Sequence, residues 1–562
     1  MFLGVSAFYH ESSVALVSKN GDLIDFQKEE WHSRVKGDKS FPKLSIEKII
    51  KDNQDDYPNI TEIIFYERPL RAWLTVIKDT IKNHGYLNDL SKNYFRNFFN
   101  GSMSFYKEIS KFKELKKCKI KYFDHHLSHT YSALMYSESF FPKISVVIDG
   151  IGDNKTISIY KINSLTDINL IWSLDYPYSV GLFYSAITDF LGYGVNNGEF
   201  KVMALSSYGK PVFKDEFYKI MNFKDGKFTF DTSFFSYQYS TNKSYSKKLL
   251  NLIGEPRMSL SNLDMTDPNF SKYADIASSA QKILEEIVIK IFDYAYKKTK
   301  INNFIFSGGV ALNSTLVSKI SDLSYINSLE IPPSPGDSGA SIGAAFYLSC
   351  DPKITKPISV NLYTGKVKYS KYFIEQKLNK LYDDKNIIKG AAKLINDQNI
   401  ICTCLGNIET GPRALGNRSF LCDARNEELV KKLNSDIKRR SDFIPTAPVM
   451  SIETSKKYFL INKINEKLAE TMSTIVMAND NALLKYKSIL HFDFTARIQI
   501  AKKNTFISNL LNSENANFEI LANTSFNISS DPMVYSLEDA IMTMKRTGLK
   551  YLITDFGIFE IR

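Results

Sequence analysis

The fold is decided by residues 2–26, which read FLGVSAFYHESSVALVSKNGDLIDF. The segment contains an apolar run, a loop of small residues, a second apolar run, a KNGD turn and a third apolar run. Residues 145–162, SVVIDGIGDNKTISIYKI, repeat the strand, loop and strand. Short apolar runs separated by turn residues predict β-strands joined by hairpins. The sequence therefore predicts an α/β protein in which one strand-loop-strand unit is duplicated.

Such a duplication is typical of an actin-like ATPase core, in which each half presents a strand-to-strand loop to the nucleotide phosphates. Helical patterns lie between and after the two copies. The clearest covers residues 272–299, where apolar side chains recur with the period of an α-helix. It leads into residues 302–320, which predict a strand, a turn at Gly308 and Gly309, and a helix.

Length and charge indicate more than one domain and a preference for anions. A chain of 562 residues exceeds what one hydrophobic core usually supports. The formal charge of +11 is spread along the chain, which favours anionic ligands and argues against nucleic acid. Residues 350–367 carry two prolines and no periodicity. They predict a boundary between a first domain at 1–355 and a second at 356–562.

The cysteines and the N-terminal residues predict a cytoplasmic protein without a membrane segment. The five cysteines form no CxxC pair and no disulfide framework, as expected in a reducing compartment. The first residues lack a basic leader region and include His10 and Glu11. No apolar run approaches the length needed to span a bilayer.

Residues 124–129, DHHLSH, hold three of the seven histidines in the chain. His125 and His129 are four residues apart, so a helix starting here would place both imidazoles on one face, close enough to bind one metal ion. An isolated pair with this spacing is equally consistent with capping or core histidines.

Three glycine-containing segments favour a phosphate and metal site. DGIGD at 149–153 includes Gly150, Gly152 and Asp153, and SGGVALN at 307–313 predicts a second approach of backbone N–H groups to phosphate. A third loop, PPSPGDSGASIGAA, is predicted to expose Asp337 on a tight backbone. Two imidazoles and one carboxylate suit iron, manganese or zinc and leave coordination positions for phosphate oxygens.

The densest motif of the second domain is ETGPRALGNRS at 409–419. Its two arginines, Arg413 and Arg418, predict a fork for a doubly charged oxyanion, because guanidinium groups bind phosphate bidentately. Downstream motifs add further polar candidates for the same pocket: Lys438, Arg440, Arg497, Asn523, Ser525 and Asn527.

Taken in order, the motifs YHESSVAL, DHHLSH, DGIGD, GEFKVMALSSYG, SGGVALN, PGDSGASIGAA and ETGPRALGNRS resemble a carbamoyltransferase family. This family includes the nodulation and antibiotic-tailoring O-carbamoyltransferases. The resemblance covers the whole chain. It implies a duplicated actin-like ATPase (ASKHA) domain followed by an α+β, YrdC-like domain.

The resemblance also implies roles for single residues. The metal ligands would be His125, His129 and Asp337. Nucleotide contacts would come from Gly150, Gly152, Asp153, Glu199, Lys201, Gly308, Gly309 and Asn313. His10 matches a position near the acceptor and is a candidate general base, and Lys36 matches a basic family position. The pocket of the second domain would take carbamoyl phosphate and ATP.

The implied reaction has two steps. Carbamoyl phosphate and ATP, with magnesium, form carbamoyl adenylate, and the carbamoyl group then passes to a hydroxyl of a small-molecule acceptor at a site holding iron, or manganese or zinc. The chain departs from the family pattern on the rim of the phosphate pocket, at Asn407, Ser441, Ile444 and Thr446. The acceptor, the choice of O or N, and a homo-oligomeric state are left open.

Two other classes of function remain open at this stage. A tRNA threonylcarbamoyl-type enzyme would use the positive charge to bind RNA. A non-heme iron oxygenase would use the same two histidines and carboxylate as iron ligands.

Overall fold

The structure is a computed structural model that describes residues 1–53, 60–84, 101–240, 242–258, 263–350 and 361–561. The chain divides into two compact units. The first comprises Met1–Glu29, Gly37–Ser261 and Thr266–Val360, and the second comprises Glu30–Lys36, Asn262–Met265 and Asn361–Arg562. The predicted boundary at 355/356 lies outside the described residues. The short segment Glu30–Lys36 belongs to the second unit, although the sequence places it in the first domain.

Among the described residues, the first unit contains two five-stranded sheets with the same strand order. The first sheet is ordered Leu23–Lys28, Ser13–Val17, Phe2–Ser6, Glu62–Phe65, Lys119–Tyr122. The second is ordered Asp167–Asp175, Lys155–Ser164, Lys143–Gly152, Asn303–Ser307, Ser328–Glu330. In both, three antiparallel strands are followed by two parallel ones. This repeat of topology confirms the duplicated actin-like fold.

Burial explains why the central strands read as continuous apolar runs. Every residue of Ser13–Val17 is buried, as expected for a strand covered on both faces. The predicted long helix is present as Phe270–Thr299, with its apolar stripe buried. The other helices of this unit are Lys43–Asp52, Pro69–His84, Phe105–Ile109, His125–Met135, Val180–Phe190, Glu199–Leu205, Lys214–Ile220, Lys247–Ile253, Ser314–Ser321 and Asp337–Ser349. A hairpin joins Met221–Lys224 and Lys227–Phe230, and the helix Glu29–Ser33 enters the second unit.

The second unit is built on a mixed sheet that has eight strands in the described part of the chain. Their order is Leu378–Tyr382, Gly557–Ile561, Tyr551–Thr554, Ile401–Cys404, Ser419–Asp423, Ile520–Ser525, Ala447–Met450, Gln499–Ile500. Alternate side chains pack into two apolar clusters, one containing Cys402 and Phe420 and the other Ile401 and Leu421. The unit is therefore α+β, while its likeness to YrdC domains stays a prediction.

Smaller elements complete the second unit. Short strands pair Tyr363–Gly365 with Ile408–Glu409, and a further sheet joins Phe459–Leu460, Val476–Ala478 and Thr495–Ala496. The α-helices are Lys371–Lys377, Ile387–Asn396, Glu427–Lys432, Ile452–Tyr458, Lys463–Ala469, Asp480–Lys485, Phe506–Leu511 and Leu537–Thr547. Across the described residues of both units, no helix is long and apolar enough to cross a bilayer.

Candidate active sites

The histidine motif forms the first turns of the helix His125–Met135. Asp124 precedes the helix and accepts the N–H of Leu127, which is the usual way for an aspartate to cap a helix. Because His125 and His129 are one turn apart, their Nε2 atoms lie 3.1 Å from each other. Both side chains are buried.

Two carboxylates complete this cluster. Asp149 Oδ2 lies 3.0 Å from His129 Nε2, and Asp337 Oδ1 lies 3.5 Å from the same atom. His125 Nε2 is 3.7 Å from Asp149 and 3.6 Å from Asp337. One possible ligand atom from each of the four residues lies within 4.8 Å of the other three. Two imidazole nitrogens and two carboxylate oxygens at this spacing fit a divalent transition metal.

The two acids lie on different elements of the first unit, one on a strand and the other on a helix. Asp149 lies on the strand Lys143–Gly152, and the sequence-based prediction missed it because DGIGD was interpreted through its glycines. An acid directly after the buried run SVVI is the signal that could have identified it. Asp337 is the first residue of the helix Asp337–Ser349, not part of a loop as predicted. A carboxylate at that position is stabilised by the helix dipole.

The ionisation of these groups follows from their contacts. Burial alone would lower the pKa of His129, but hydrogen bonds to Asp149 and Asp337 raise it to about 9. Burial would raise the pKa of Asp149, yet His125 and His129 hold it well below its usual range. His126 turns to a different partner, Ser158 Oγ at 2.7 Å, and burial lowers its pKa well below the usual value. The cluster therefore holds carboxylate groups beside buried histidines. A divalent metal ion would neutralise the negative charge of these carboxylates.

The residues of DGIGD that are predicted to contact nucleotide border the cluster, and their nucleotide contacts stay predictions. The N–H of Gly150 donates to Asp149 Oδ1 at 2.7 Å. A Cβ at Gly152 would lie 2.2 Å from the ring of His125, so only glycine fits there. Asp153 is buried and accepts the N–H groups of Arg68 and His125.

Glu199 and Lys201 lie on the helix Glu199–Leu205. The Glu199 carboxylate accepts the N–H groups of Asn196 and Gly198 at 2.9 and 3.2 Å, so it organises the turn that begins this helix. Lys201 Nζ lies 5.2 Å from the ring centroid of Tyr193. Their contact with a nucleotide stays a prediction.

The second glycine segment lies against the strand of Asp149. Gly308 has a φ of +89°, and a Cβ there would approach Ile148 O to 2.3 Å. A Cβ at Gly309 would lie 3.2 Å from Asp149 Oδ1, so this turn borders the cluster. Asn313 caps the helix Ser314–Ser321 by accepting the N–H of Leu316. The nucleotide contacts predicted for these three residues stay predictions.

The two predicted catalytic residues belong to different units. His10 Nε2 lies 3.1 Å from Asn196 O. Burial would lower its pKa, but the negative charges of Glu11 and Asp337 raise it above the usual value. Lys36 lies in the second unit, where its Nζ donates to Ser529 O at 2.7 Å. Lys36 was expected in the first domain, and the catalytic roles of His10 and Lys36 stay predictions.

Three arginines of the second unit form what we call the arginine trio: Arg413, Arg440 and Arg497. Burial and the charges of the other two hold the pKa of Arg413 well below its usual range. Burial also lowers the pKa of Arg440 and of Arg497, each to about 10. Neither Arg440 nor Arg497 forms an ion pair with another described residue, and Arg497 Nε is buried without an acceptor. Mutually repelling guanidinium groups, one of which has a buried unpaired N–H, fit a multiply charged anion.

Arg418 has different surroundings from the trio, and the predicted phosphate fork of Arg413 and Arg418 stays a prediction. Its side chain is fully buried, and NH1 donates to Leu405 O at 2.6 Å. NH2 donates to the carbonyls of Gly406 and Tyr535 at 3.2 and 3.3 Å, and also to the Tyr369 hydroxyl. The NH1 and NH2 groups therefore stabilise the protein, while Nε is buried without an acceptor.

The other predicted pocket residues form hydrogen bonds with backbone carbonyls of the second unit. Lys438 Nζ is buried and donates to the carbonyls of Ser525 and Asn527, each at 2.6 Å. Asn523 Nδ2 donates to Ala414 O at 3.0 Å, in the loop that carries Arg413. The donors of these four polar residues bond to the protein, and their direct contact with carbamoyl phosphate stays a prediction.

Glu409 was missed as a site residue although it opens the predicted motif. Its carboxylate is buried, and Oε1 accepts the N–H groups of Leu415, Asn417 and Arg418 at 2.9, 2.9 and 3.1 Å. One acid thus shapes the loop between Arg413 and Arg418.

Comparison with known proteins identifies the family of this chain. A family model described as "Carbamoyltransferase N-terminus" matches residues 1–346, and one described as "Carbamoyltransferase C-terminus" matches residues 392–560. The chain belongs to the carbamoyltransferase family.

Relatives match over almost the whole chain. An uncharacterised protein of Synechocystis sp. is 29% identical over 98% of this chain and 95% of its own length. Nodulation protein NolNO of Sinorhizobium fredii is 26% identical over 99% of this chain and 80% of its own length. Among solved structures, an activator of 2-hydroxyisocaproyl-CoA dehydratase from Clostridium difficile covers 62% of this chain and 94% of that chain at 12% identity. Its TM-score is 0.31, which is too low to carry an argument.

Proposed function

We propose that this carbamoyltransferase makes carbamoyl adenylate from carbamoyl phosphate and ATP in its second unit. We further propose that it transfers the carbamoyl group in its first unit to a hydroxyl of a small-molecule acceptor. The observation that carries the proposal is the arginine trio, because three partly buried guanidinium groups, two of which lower the pKa of the third, favour an anion of at least two charges. Carbamoyl phosphate is such an anion.

In the second unit, the trio would bind the phosphate group of carbamoyl phosphate. Water cleaves the bond between phosphorus and the carbamoyl oxygen, which releases phosphate and carbamate. The carbamate oxygen then attacks the α-phosphorus of ATP and displaces pyrophosphate, giving carbamoyl adenylate. Positive charge held in place before the reaction stabilises the developing negative charge of both steps.

In the first unit, His125, His129, Asp149 and Asp337 would hold a divalent metal, iron by preference, with manganese or zinc as alternatives. A metal in that place supplies Lewis-acid polarisation of a phosphoryl oxygen. His10 would accept the proton of the acceptor hydroxyl while the hydroxyl oxygen attacks the carbamoyl carbon and AMP departs. Because the pKa of His10 is raised, the unprotonated base becomes more abundant as the pH increases, and transfer should accelerate accordingly.

The two sites can be tested separately with Arg440→Gln and His129→Ala. Arg440→Gln should abolish the release of pyrophosphate from ATP in the presence of carbamoyl phosphate, a loss of about 10²-fold or more, since it removes a charge-assisted contact to the substrate. His129→Ala should keep pyrophosphate release and lose carbamoylation of the acceptor. Carbamoyl adenylate added directly should rescue Arg440→Gln only.

Arg439→Gln is the matched control, because Arg439 is the adjacent arginine and its side chain is exposed. It should behave like the parent protein in both assays. Equal loss of pyrophosphate release in folded Arg440→Gln and His129→Ala would show that the two steps are not divided between the units. Retention of both activities in Arg440→Gln would remove the trio from the substrate site.

A further inference from the structure

One histidine of the second unit has no role in the function proposed above. His491 lies on a tight turn whose ends are joined by the His491 N–H donating to Thr495 O at 2.7 Å. The ring is partly buried, and its Nδ1 lies 2.8 Å from Thr495 Oγ1. The Thr495 hydroxyl in turn donates to Asp493 Oδ1 at 2.7 Å.

This chain of hydrogen bonds determines which ring nitrogen carries the proton. The Thr495 hydroxyl has one proton, and it is used on Asp493. Thr495 Oγ1 can therefore only accept from His491, so Nδ1 is the protonated nitrogen of the neutral ring. The lone pair of Nε2 remains available, and Nε2 makes no hydrogen bond with any residue of the described chain. A ring oriented in this way is arranged to accept a proton.

The turn places this ring beside the arginine trio. Thr495 belongs to the short strand Thr495–Ala496, and Arg497 follows it directly. Charged groups that act on His491 are Asp493 and Arg497. Arg497 in turn lowers the pKa of Arg413 and of Arg440, so the imidazole is within electrostatic reach of the trio through Arg497.

We propose that His491 is the general base that activates the water attacking carbamoyl phosphate in the second unit. The inference rests on the proposed function. A bond forms between the water oxygen and phosphorus, and the bond from phosphorus to the carbamoyl oxygen breaks. One water proton moves to His491 Nε2, and carbamate leaves from phosphorus. The proton then passes from His491 to the phosphate product, so the products are carbamate and dihydrogen phosphate. Water is the only co-reactant that the hydrolysis of carbamoyl phosphate needs.

Electrostatics would couple this base to the presence of substrate. Burial and the charge of Arg497 lower the pKa of His491 to about 4, against the opposing effect of Asp493. The free enzyme therefore keeps Nε2 unprotonated at neutral pH. A bound phosphate dianion would offset the charge of the arginines, which favours the protonated ring at the moment when the proton arrives.

The pair His491→Asn and His491→Gln distinguishes a catalytic role from a structural one. The amide nitrogen of asparagine can replace Nδ1 and keep the hydrogen bond to Thr495, but it provides nothing at the position of Nε2. The amide of glutamine would lie near the position of Nε2, and the hydrogen bond to Thr495 Oγ1 would be lost. We expect His491→Asn to keep the thermal stability of the parent and to lose phosphate release from carbamoyl phosphate by about 10²- to 10⁴-fold.

Three further measurements complete the test, all on the full-length protein. The KM for carbamoyl phosphate should change little in His491→Asn, and the fall of kcat at acid pH should disappear. Carbamate supplied from ammonium bicarbonate with ATP should restore pyrophosphate release, because the water-dependent step is then bypassed. Phe492→Ser is the matched control, since Phe492 is an exposed neighbour outside the site, and it should retain phosphate release.

Phosphate release at the parental rate in His491→Asn would overturn the inference and leave the proposed function intact. Loss of activity in His491→Gln alone would also overturn it, because the bond to Thr495 would then be what matters. If the parent protein releases neither phosphate nor pyrophosphate, the proposed function itself fails, and the two failures are thus separable.

Discussion

At the residue scale, the chemistry of a side chain depends on where its donors are directed. Arg418 and Arg440 are both arginines of the second unit, yet Arg418 spends its NH1 and NH2 groups on the protein while Arg440 gives NH1 only to Thr524 Oγ1 at 3.2 Å. Arg418 stabilises the fold, whereas Arg440 lies near the positive charges of the other two arginines of the trio. Their substitution should therefore have opposite consequences.

Arg418→Met should destabilise the protein by about 3–5 kcal/mol, because backbone carbonyls that the guanidinium satisfies would be left buried and unpaired. Arg440→Met should leave stability unchanged or raise it, because it relieves repulsion within the trio. Urea unfolding of both variants measures the difference. The prediction is contradicted if Arg418→Met unfolds at the parental urea concentration, or if Arg440→Met is the less stable of the two.

At the element scale, two helices bring the metal cluster together. His125–Met135 carries both histidines, and Asp337–Ser349 carries Asp337. They can approach closely because a Cβ at Gly343 would lie 1.8 Å from Ser128 O, between the two histidines in sequence. Only a glycine permits this contact without moving the backbone.

Gly343→Ala should therefore separate the helices, cost about 1–3 kcal/mol and weaken metal binding. Elemental analysis should find about one divalent transition metal per chain in the parent, and clearly less in Gly343→Ala and in His129→Ala. Gly336→Ala is the control, because nothing lies within 4 Å of a Cβ there, and it should keep its metal. Parental metal content in Gly343→Ala would show that this helix contact does not hold the site.

At the scale of the whole molecule, a short piece of the N-terminal sequence belongs to the C-terminal unit. Trp31 is buried and stacks on Tyr535, with 5.8 Å between ring centroids. Arg34 NH1 and NH2 donate to Met533 O and Pro532 O at 2.9 and 3.1 Å. The segment Glu30–Lys36 thus packs into a unit that otherwise consists of Asn262–Met265 and Asn361–Arg562.

Trp31→Ala should consequently destabilise the second unit, by about 3–5 kcal/mol for the loss of a large buried aromatic side chain. Hydrogen exchange followed by mass spectrometry should show faster exchange in residues 525–540 and little change in residues 2–17. The opposite pattern would place Trp31 in the core of the first unit. Leu44→Ala is a suitable control, since Leu44 is an exposed apolar residue of the first unit.

Sequence by itself determined the features that depend on neighbours along the chain. The repeated strand-loop-strand pattern was enough to predict the duplicated sheets, and apolar periodicity located the helix Phe270–Thr299. The spacing of His125 and His129 placed both rings on one helical face, because one turn of helix separates them.

Only the tertiary structure decided which distant groups meet and which donors remain free. Asp149 joins the cluster because its strand packs beside the histidine helix, and Arg418 bonds to backbone carbonyls because its side chain is fully buried. Arg497 joins Arg413 across more than eighty residues of sequence. Local spacing follows from the geometry of the backbone, whereas burial and the pairing of remote charges follow from how the chain packs, and that packing determines the chemistry of both sites.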